Sequence, residues 1–277
     1  MVDQPSWDLL ADLQLLLEFH FMQNALLAGT LVALLAGATG YFIVLRGQSF
    51  AAHTLSQVGF PGAAAGILLH LSPVLGLIGF CVTAALGIGL RGRGLDAGWR
   101  GESAAVGGIL AFALAVGLLF FSLYAGSVEA IYAFLFGSIL GVTDRDVLVT
   151  ALTAALALLA LAVIGRPLIF ASVDPEAAEA RGVPVRALAL AFLVLVALSV
   201  AVAVQIVGTL LVFALLVTPG AAAQRLTPRP GLGVGLSTVL SLLFVWSGLS
   251  VAYFSPLPVG FAVTTLAFGT YVLARAR

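Results

Sequence analysis

The chain has 277 residues, of which 62% are hydrophobic and only 9% are charged. Soluble domains carry about a quarter charged residues, so a chain this apolar cannot cover a water-exposed surface and is predicted to be a polytopic membrane protein. The zero formal net charge argues against a nucleic-acid partner, and the lone Cys81 excludes an intrachain disulfide and a cysteine-rich metal site.

The first 20 residues are predicted to form an extracytoplasmic amphipathic segment at the membrane surface. They carry four acidic residues and no basic stretch of the kind that begins a signal peptide, and Trp7 is suited to the interface. Residues 21–277 are predicted to form a single transmembrane domain.

The rest of the chain predicts an all-α helix bundle of about nine membrane spans. A span needs about 20 mostly apolar residues. Such runs occur at 21–45, 53–71, 73–90, 104–125, 146–165, 187–206, 207–223, 232–254 and 258–274. Eight spans are the alternative, in which 187–223 forms one crossing and a re-entrant piece.

The distribution of arginine predicts the orientation of the bundle. The chain has no lysine, so its twelve basic residues are all arginine. With nine spans and the N-terminus outside, every arginine except Arg145 falls on the side of the C-terminus. The positive-inside rule then places the C-terminus in the cytoplasm.

Residues 127–146, SVEAIYAFLFGSILGVTDRD, are apolar but too interrupted to span a bilayer. Non-helical backbone at membrane depth is tolerated only where protein or water satisfies its polar groups. This stretch therefore predicts a re-entrant element beside an internal cavity.

The longest predicted cytoplasmic loop, 166–186, contains a helix start and stop signal. Asp174 can cap a helix whose first residue is Pro175, and Gly182 can end it. Two interpretations stay open: a solvated connecting helix, or a surface helix presented to a cytoplasmic partner.

Several stretches together resemble the zinc, manganese and iron permeases of binding-protein-dependent ABC importers. Glu176, Ala177 and Ala178, followed by Glu179 and then Gly182, are similar to the EAA-type coupling loop of importer permeases. In family order, the chain also contains GYFIVLRGQSFAAHTLSQVGFPG, ESAAVGGIL, AFLFGSILGVTDRDV, VGTLLVFALLVTPGAAAQRL and SPLPVGFAVTTLAFG.

The resemblance implies a type II importer-like permease of the bacterial cytoplasmic membrane. It implies a second copy of the chain, cytoplasmic ATP-binding subunits and an extracytoplasmic metal-binding protein as partners, in contact with membrane lipid. The chain has no Walker A motif, since it has no lysine to build one, so ATP hydrolysis is expected on another subunit. Zinc, manganese or iron would be cargo, with no permanently bound cofactor.

Within the second predicted span, the resemblance points to His53 and Gln57 as metal transit residues. The family commonly has an aspartate four residues before a histidine, and these positions correspond here to His53 and Gln57. Residues i and i+4 share a helix face, and imidazole is a good ligand for zinc. The missing carboxylate favours zinc over manganese. The alternative is that His53 orders the bundle by bonding a neighbouring carbonyl or Ser56.

Two other features carry weaker predictions. Thr218-Pro219-Gly220 is predicted to break its helix, either as a hinge for alternating access or as a packing kink. Asn24 and Gln205 are expected to bond across helices rather than line a path.

Two other function classes compete with the importer. A secondary active transporter of a small solute or ion would need no coupling helix but usually has more carboxylates at midplane. An intramembrane enzyme would need a motif such as G-x-S-x-G or H-E-x-x-H, and neither occurs in this sequence.

Overall fold

The structure is a computed structural model that describes residues 18–91, 99–123, 137, 139–255 and 257–276. The described residues form helices and connecting turns without a strand, as the all-α prediction requires. Residues 1–17 of the predicted N-terminal amphipathic segment lie outside the described residues. The helices are α1 (His20–Leu45), α2 (Ser49–Leu68), α3 (Pro73–Arg91), α4 (Trp99–Leu123), α5 (Asp144–Val173), α6 (Pro175–Ala180), α7 (Val185–Leu226), α8 (Pro230–Phe254) and α9 (Val259–Ala276), with a 3-10 turn at Ile139–Gly141.

Six helical segments of the described chain are long and apolar enough to cross a membrane: α1, the apolar part of α3, α5, the first part of α7, α8 and α9. Two shorter apolar helices, Val106–Phe120 within α4 and Leu211–Leu226 within α7, add to them. The bundle is therefore a polytopic membrane fold, while the count of nine crossings stays a prediction.

Helix α7 consists of two limbs that meet at Gly208. Gly208 has φ 81° and ψ 162°, a conformation that essentially only glycine adopts. The first limb begins level with the C-terminal end of α1, where the rings of Phe192 and Phe42 lie 6.1 Å apart. It ends level with the first turn of α5, where Gln205 Nε2 donates to Asp146 Oδ1 at 2.8 Å.

The second limb of α7 returns to the C-terminal end of α1. Gln224 Nε2 donates to the Tyr41 carbonyl oxygen at 3.0 Å, and Gly220 lies against the backbone of Gly40. The two limbs are thus antiparallel, and the chain reverses close to the predicted boundary between 206 and 207.

The alternating helix directions gather the arginines at one end of the bundle, called here the arginine-rich end. It contains the C-terminal end of α1, the N-terminal end of α2, the C-terminal end of α5 and all of α6. Of the described arginines, Arg145 alone lies at the opposite end, which we call the acidic end because it holds Asp144 and Asp146. The predicted segregation of arginine is therefore present in the fold.

The loop predicted over 166–186 is shorter than expected. Helix α5 continues through Pro167 to Val173, and Leu168 and Ala171 are buried within the bundle. A membrane helix tolerates an internal proline because neighbouring groups satisfy the freed carbonyl. The connection is confined to residues 174–184 and includes α6.

The re-entrant element predicted over 127–146 lies mostly outside the described residues. Its described part contains the 3-10 turn, with Ile139 and Val142 buried. Gly137, at φ 78°, lies so close to Val207 and Gly208 that a Cβ would overlap their backbone. This part of the chain therefore packs directly on the reversal of α7.

Candidate functional site

Helix α2 has one open face, called here the open stripe, on which the predicted transit residues lie. Phe50, His53, Gln57, Phe60 and Ala64 are spaced three or four residues apart and are partly or well exposed. The positions between them on α2 are buried, mostly as small residues against neighbouring helices. In the described part of the chain, both polar side chains of this stripe stay partly exposed on an apolar helix, while Phe60 lies against Gly117 of α4.

The His53 ring is held by aromatic packing. Its centroid lies 4.8 Å from that of Phe213 on the second limb of α7, at an interplanar angle of 69°. Nδ1 is buried and has no hydrogen-bond partner within the described part of the chain. Ser56 Oγ donates to the backbone carbonyl of His53 at 2.7 Å, so this serine does not bind the ring. Among the described residues, the hydrogen bond expected for a purely structural His53 is not formed.

Along the open stripe, His53 and Gln57 are one helical turn apart and provide an imidazole nitrogen and an amide oxygen. From the start of α2 at Ser49, they lie about 6 Å and about 12 Å along the helix axis. The described residues contain no group of three or more His, Cys, Asp or Glu side chains able to hold a metal. Within the described part of one copy, the open stripe therefore offers a divalent ion an imidazole nitrogen and an amide oxygen, and no carboxylate.

The acidic end is held by a second polar network. Asp144 Oδ1 accepts from Asn24 Nδ2 at 2.7 Å and lies 2.9 Å from His20 Nε2, while Asp146 accepts from Gln205. The expectation that Asn24 and Gln205 bond across helices is confirmed. The exposed His20–Asp144 pair contributes little stability. The network joins α1, α5 and the first limb of α7.

Helix α6 begins and ends where the sequence predicts a short surface helix. Asp174 Oδ1 accepts from Ala177 N at 2.9 Å, Pro175 is its first residue, and Gly182 follows its end with φ 80°. Ala178 is fully buried. The charged residues Glu176, Glu179 and Arg181 are all exposed. The helix is present, and its role as a docking element stays a prediction.

The helix break predicted at Thr218-Pro219-Gly220 is wrong. The second limb of α7 remains helical through Pro219 to Leu226, and the non-helical residue inside α7 is Gly208. Gly220 instead allows close packing, since a Cβ there would lie 2.7 Å from the carbonyl oxygen of Gly40. A hinge role for Pro219 and Gly220 stays a prediction.

Two contacts near this site had no signal in the sequence. Phe213 reaches His53 from a helix 160 positions later, and Arg46 Nη1 donates to Ser172 Oγ at 3.0 Å across 126 positions. Each pair depends on how the helices pack, which neither local spacing nor composition specifies.

Comparison with known proteins gives one family and a consistent set of relatives. The model of the ABC 3 transport family matches residues 18–277. The manganese transport system membrane protein MntC of Listeria innocua is 30% identical over 259 residues, covering 94% of this chain and 91% of that protein. The manganese import system permease protein ScaB of Streptococcus parasanguinis is 32% identical over 244 residues, covering 88% and 85%.

Solved structures agree with these relatives. PsaBC from Streptococcus pneumoniae, solved in complex with Fab, has a TM-score of 0.84 and 30% identity, covering 96% of this chain and 94% of that chain. A metal-chelate type ABC transporter in an inward-facing conformation has a TM-score of 0.77 at 15% identity, covering 98% and 91%. At that identity the second likeness concerns the fold alone.

Proposed function

The chain belongs to the ABC 3 transport family, and from this premise we propose that it is the membrane-spanning permease subunit of an ATP-driven divalent metal importer. It passes the ion from an external binding protein to the cytoplasm by alternating access. The relatives with manganese transport and import in their names support this assignment.

The proposed topology places nine crossings in the bacterial cytoplasmic membrane. Residues 1–20 lie outside as the amphipathic segment, and residues 21–277 form the permease domain with a cytoplasmic C-terminus. The arginine-rich end supports this orientation, because positively charged residues are retained on the cytoplasmic side. The reversal at Gly208 supports counting the limbs of α7 as two crossings.

The open stripe of α2 is the observation that carries the proposal. His53 and Gln57 are partly exposed on a helix that is otherwise packed into an apolar bundle. Polar groups facing lipid are costly, so intramembrane polar residues face a bundle interior or a water-filled path. A second copy of the chain would cover the stripe and enclose a path between the two α2 helices.

Two facing copies would offer the ion four donors, two imidazole nitrogens and two amide oxygens. Four ligands suit zinc, which binds imidazole well, whereas manganese favours carboxylate and water oxygens. Zinc is therefore the favoured cargo, with manganese, the metal named for the relatives, and iron as the alternatives. Neutral ligands also hold the ion weakly, and a transit site must release what it binds.

Helix α6 is the proposed docking element for a separate ATPase subunit. Asp174, Ala177 and Gly182 shape it, Ala178 anchors it in the permease, and Glu176 and Glu179 face outward. Closure of the ATPases would move α6 and, through it, the membrane helices.

The test is uptake into proteoliposomes that contain this chain with its candidate ATPase and metal-binding protein. We expect zinc uptake that requires hydrolysable ATP and falls to background in a His53→Ala variant. His70→Ala is the matched control, since His70 is exposed beyond the far end of α2 and should leave uptake unchanged. Uptake that proceeds without ATP would favour a secondary transporter, and no divalent metal uptake under any condition would refute the importer.

A further inference from the structure

We propose that Arg46 is a positioning residue that ties the α2 helix, with its metal transit residues, to the coupling helix α6. The inference rests on the proposed function, because it assigns Arg46 a part in transmitting ATPase closure to the transit site. Four sets of contacts at the arginine-rich end lead to it.

First, the turn between α1 and α2 makes the end of one helix and the start of the next a single body. Arg46 N donates to the Phe42 carbonyl at 3.0 Å, and Gln48 N donates to the Ile43 carbonyl at 2.9 Å. Gly47 closes the turn with φ 66°, in the left-handed region that favours glycine. A displacement of Arg46 therefore displaces the first turns of α2, and His53 lies seven residues further on.

Second, the Arg46 side chain leaves this turn and contacts two other helices. Its Nη1 donates to Ser172 Oγ of α5 at 3.0 Å, and its Cζ lies 5.7 Å from the ring centre of Phe192 on α7. The Ser172 hydroxyl donates to the Leu168 carbonyl oxygen at 2.5 Å, so the lone pairs of Oγ can accept a hydrogen bond from arginine. A planar guanidinium can donate and stack at once, which an ammonium cannot do.

Third, the same turn of α5 holds the coupling helix. The guanidinium of Arg181, directly after α6, lies 5.4 Å from the ring centre of Phe170. Asp174, two residues beyond Ser172, caps α6 through Ala177 N. The end of α5 and α6 thus form a second rigid body.

Fourth, helix α2 has little direct contact with α5 or α6, and Arg46 adds a link between them at the arginine-rich end, where α1 also packs against α5. Within the described part of the chain, no hydrogen bond joins α6 directly to α2. The route from α6 through Phe170 and Ser172 to Arg46, in contrast, has a contact at each step. When α6 is pulled by its partner, Arg46 carries the displacement to α2. Loss of Arg46 should therefore uncouple ATP hydrolysis from ion transport, so that more ATP is hydrolysed for each ion transported.

The experiment measures ATP hydrolysed per metal ion transported by the assembled complex in proteoliposomes, with Arg46→Ala, Arg46→Lys and Ser172→Ala variants. Mutations that alter coupling networks change coupling by about 0.5–2 kcal/mol, or about two- to thirtyfold. We expect Arg46→Ala to keep ATP hydrolysis within about twofold of wild type while uptake falls, which raises the ratio several-fold. Ser172→Ala should raise it less, and adding it to Arg46→Ala should have no further effect.

Arg225→Ala is the matched control. Arg225 lies at the same end of the bundle with its guanidinium 5.9 Å from the ring centre of Tyr271, a contact that joins α7 to α9 rather than α6 to α2. The Arg225→Ala complex should hydrolyse the same amount of ATP per metal ion transported as wild type. A lysine at position 46 keeps the charge but not the stacking plane, so it should restore less than half of the lost coupling.

The inference would be overturned if Arg46→Ala lowered uptake and ATP hydrolysis in the same proportion, as a merely structural loss would. An unchanged ratio would overturn it equally. In both cases the importer and its transit site would stand, because the wild-type complex would still transport metal. Failure of the wild-type complex itself would instead refute the proposed function.

Discussion

Replacing Gly220 by alanine tests whether this glycine provides close helix packing. The new Cβ would lie 2.7 Å from the Gly40 carbonyl oxygen, 2.8 Å from the Gly40 carbonyl carbon and 3.0 Å from Tyr41 N. Ordinary contacts begin at about 3.4 Å, and backbone atoms cannot rotate away, so α1 and α7 must separate by about 0.5–1 Å. Overpacking costs about 1–3 kcal/mol, and a weakened Gln224–Tyr41 hydrogen bond adds about 1 kcal/mol.

The assay is the thermal midpoint of the detergent-purified permease. A loss of about 2–4 kcal/mol corresponds to a fall of about 5–15 °C. Gly79→Ala is the matched control, because nothing lies within 4 Å of a Cβ at that position in α3. If Gly220→Ala were as stable as Gly79→Ala but transported poorly, the packing account would be refuted and the hinge prediction for Pro219-Gly220 favoured.

Two further predictions concern the reversal of α7 and the cap of α6. Gly208→Ala should destabilise the permease by about 1–3 kcal/mol, since φ 81° with ψ 162° excludes a Cβ, and the yield of monodisperse protein should fall; a normal yield and midpoint would contradict the assigned geometry. Asp174→Ala should lower the stability of α6 by about 1 kcal/mol, because the capping hydrogen bond to Ala177 N is lost, and should weaken ATPase binding in co-purification about fivefold. Asp174→Ser keeps a capping oxygen and should bind the ATPase nearly as well as wild type. Equal binding by both variants would argue against α6 as the docking element.

Features with local signals could be predicted from the sequence. The fold class followed from composition, and the start and end of α6 followed from Asp174-Pro175 and Gly182, because capping depends on neighbours in the chain. Helix α5 ends at Val173, eight residues beyond the predicted end of its span at 165. Arg166 and Pro167 indicate a loop in the sequence, but packing against neighbouring helices keeps this stretch helical. The reversal of α7 at Gly208 lies close to the predicted span boundary at 206/207, whereas the additional break predicted at Pro219 is absent, because that limb stays helical to Leu226.

The candidate site was predictable in its residues but not in its surroundings. The i and i+4 spacing placed His53 and Gln57 on one helix face, and the structure leaves that face open. The packing of Phe213 on the imidazole joins residues 160 positions apart, so no local pattern indicates it. The same holds for Arg46 and Ser172, whose hydrogen bond links the ends of two distant helices.

The metal selectivity of a His53→Asp variant tests the central claim most directly. The measurement is the ratio of initial zinc to initial manganese uptake rates in proteoliposomes, with His70→Asp as the control. If His53 contacts the passing ion, exchanging its imidazole for a carboxylate should favour manganese and lower the ratio by about fivefold or more, while the control keeps the wild-type ratio. Uptake that persists in His53→Asp with an unchanged ratio would contradict a transit site on the open stripe of α2.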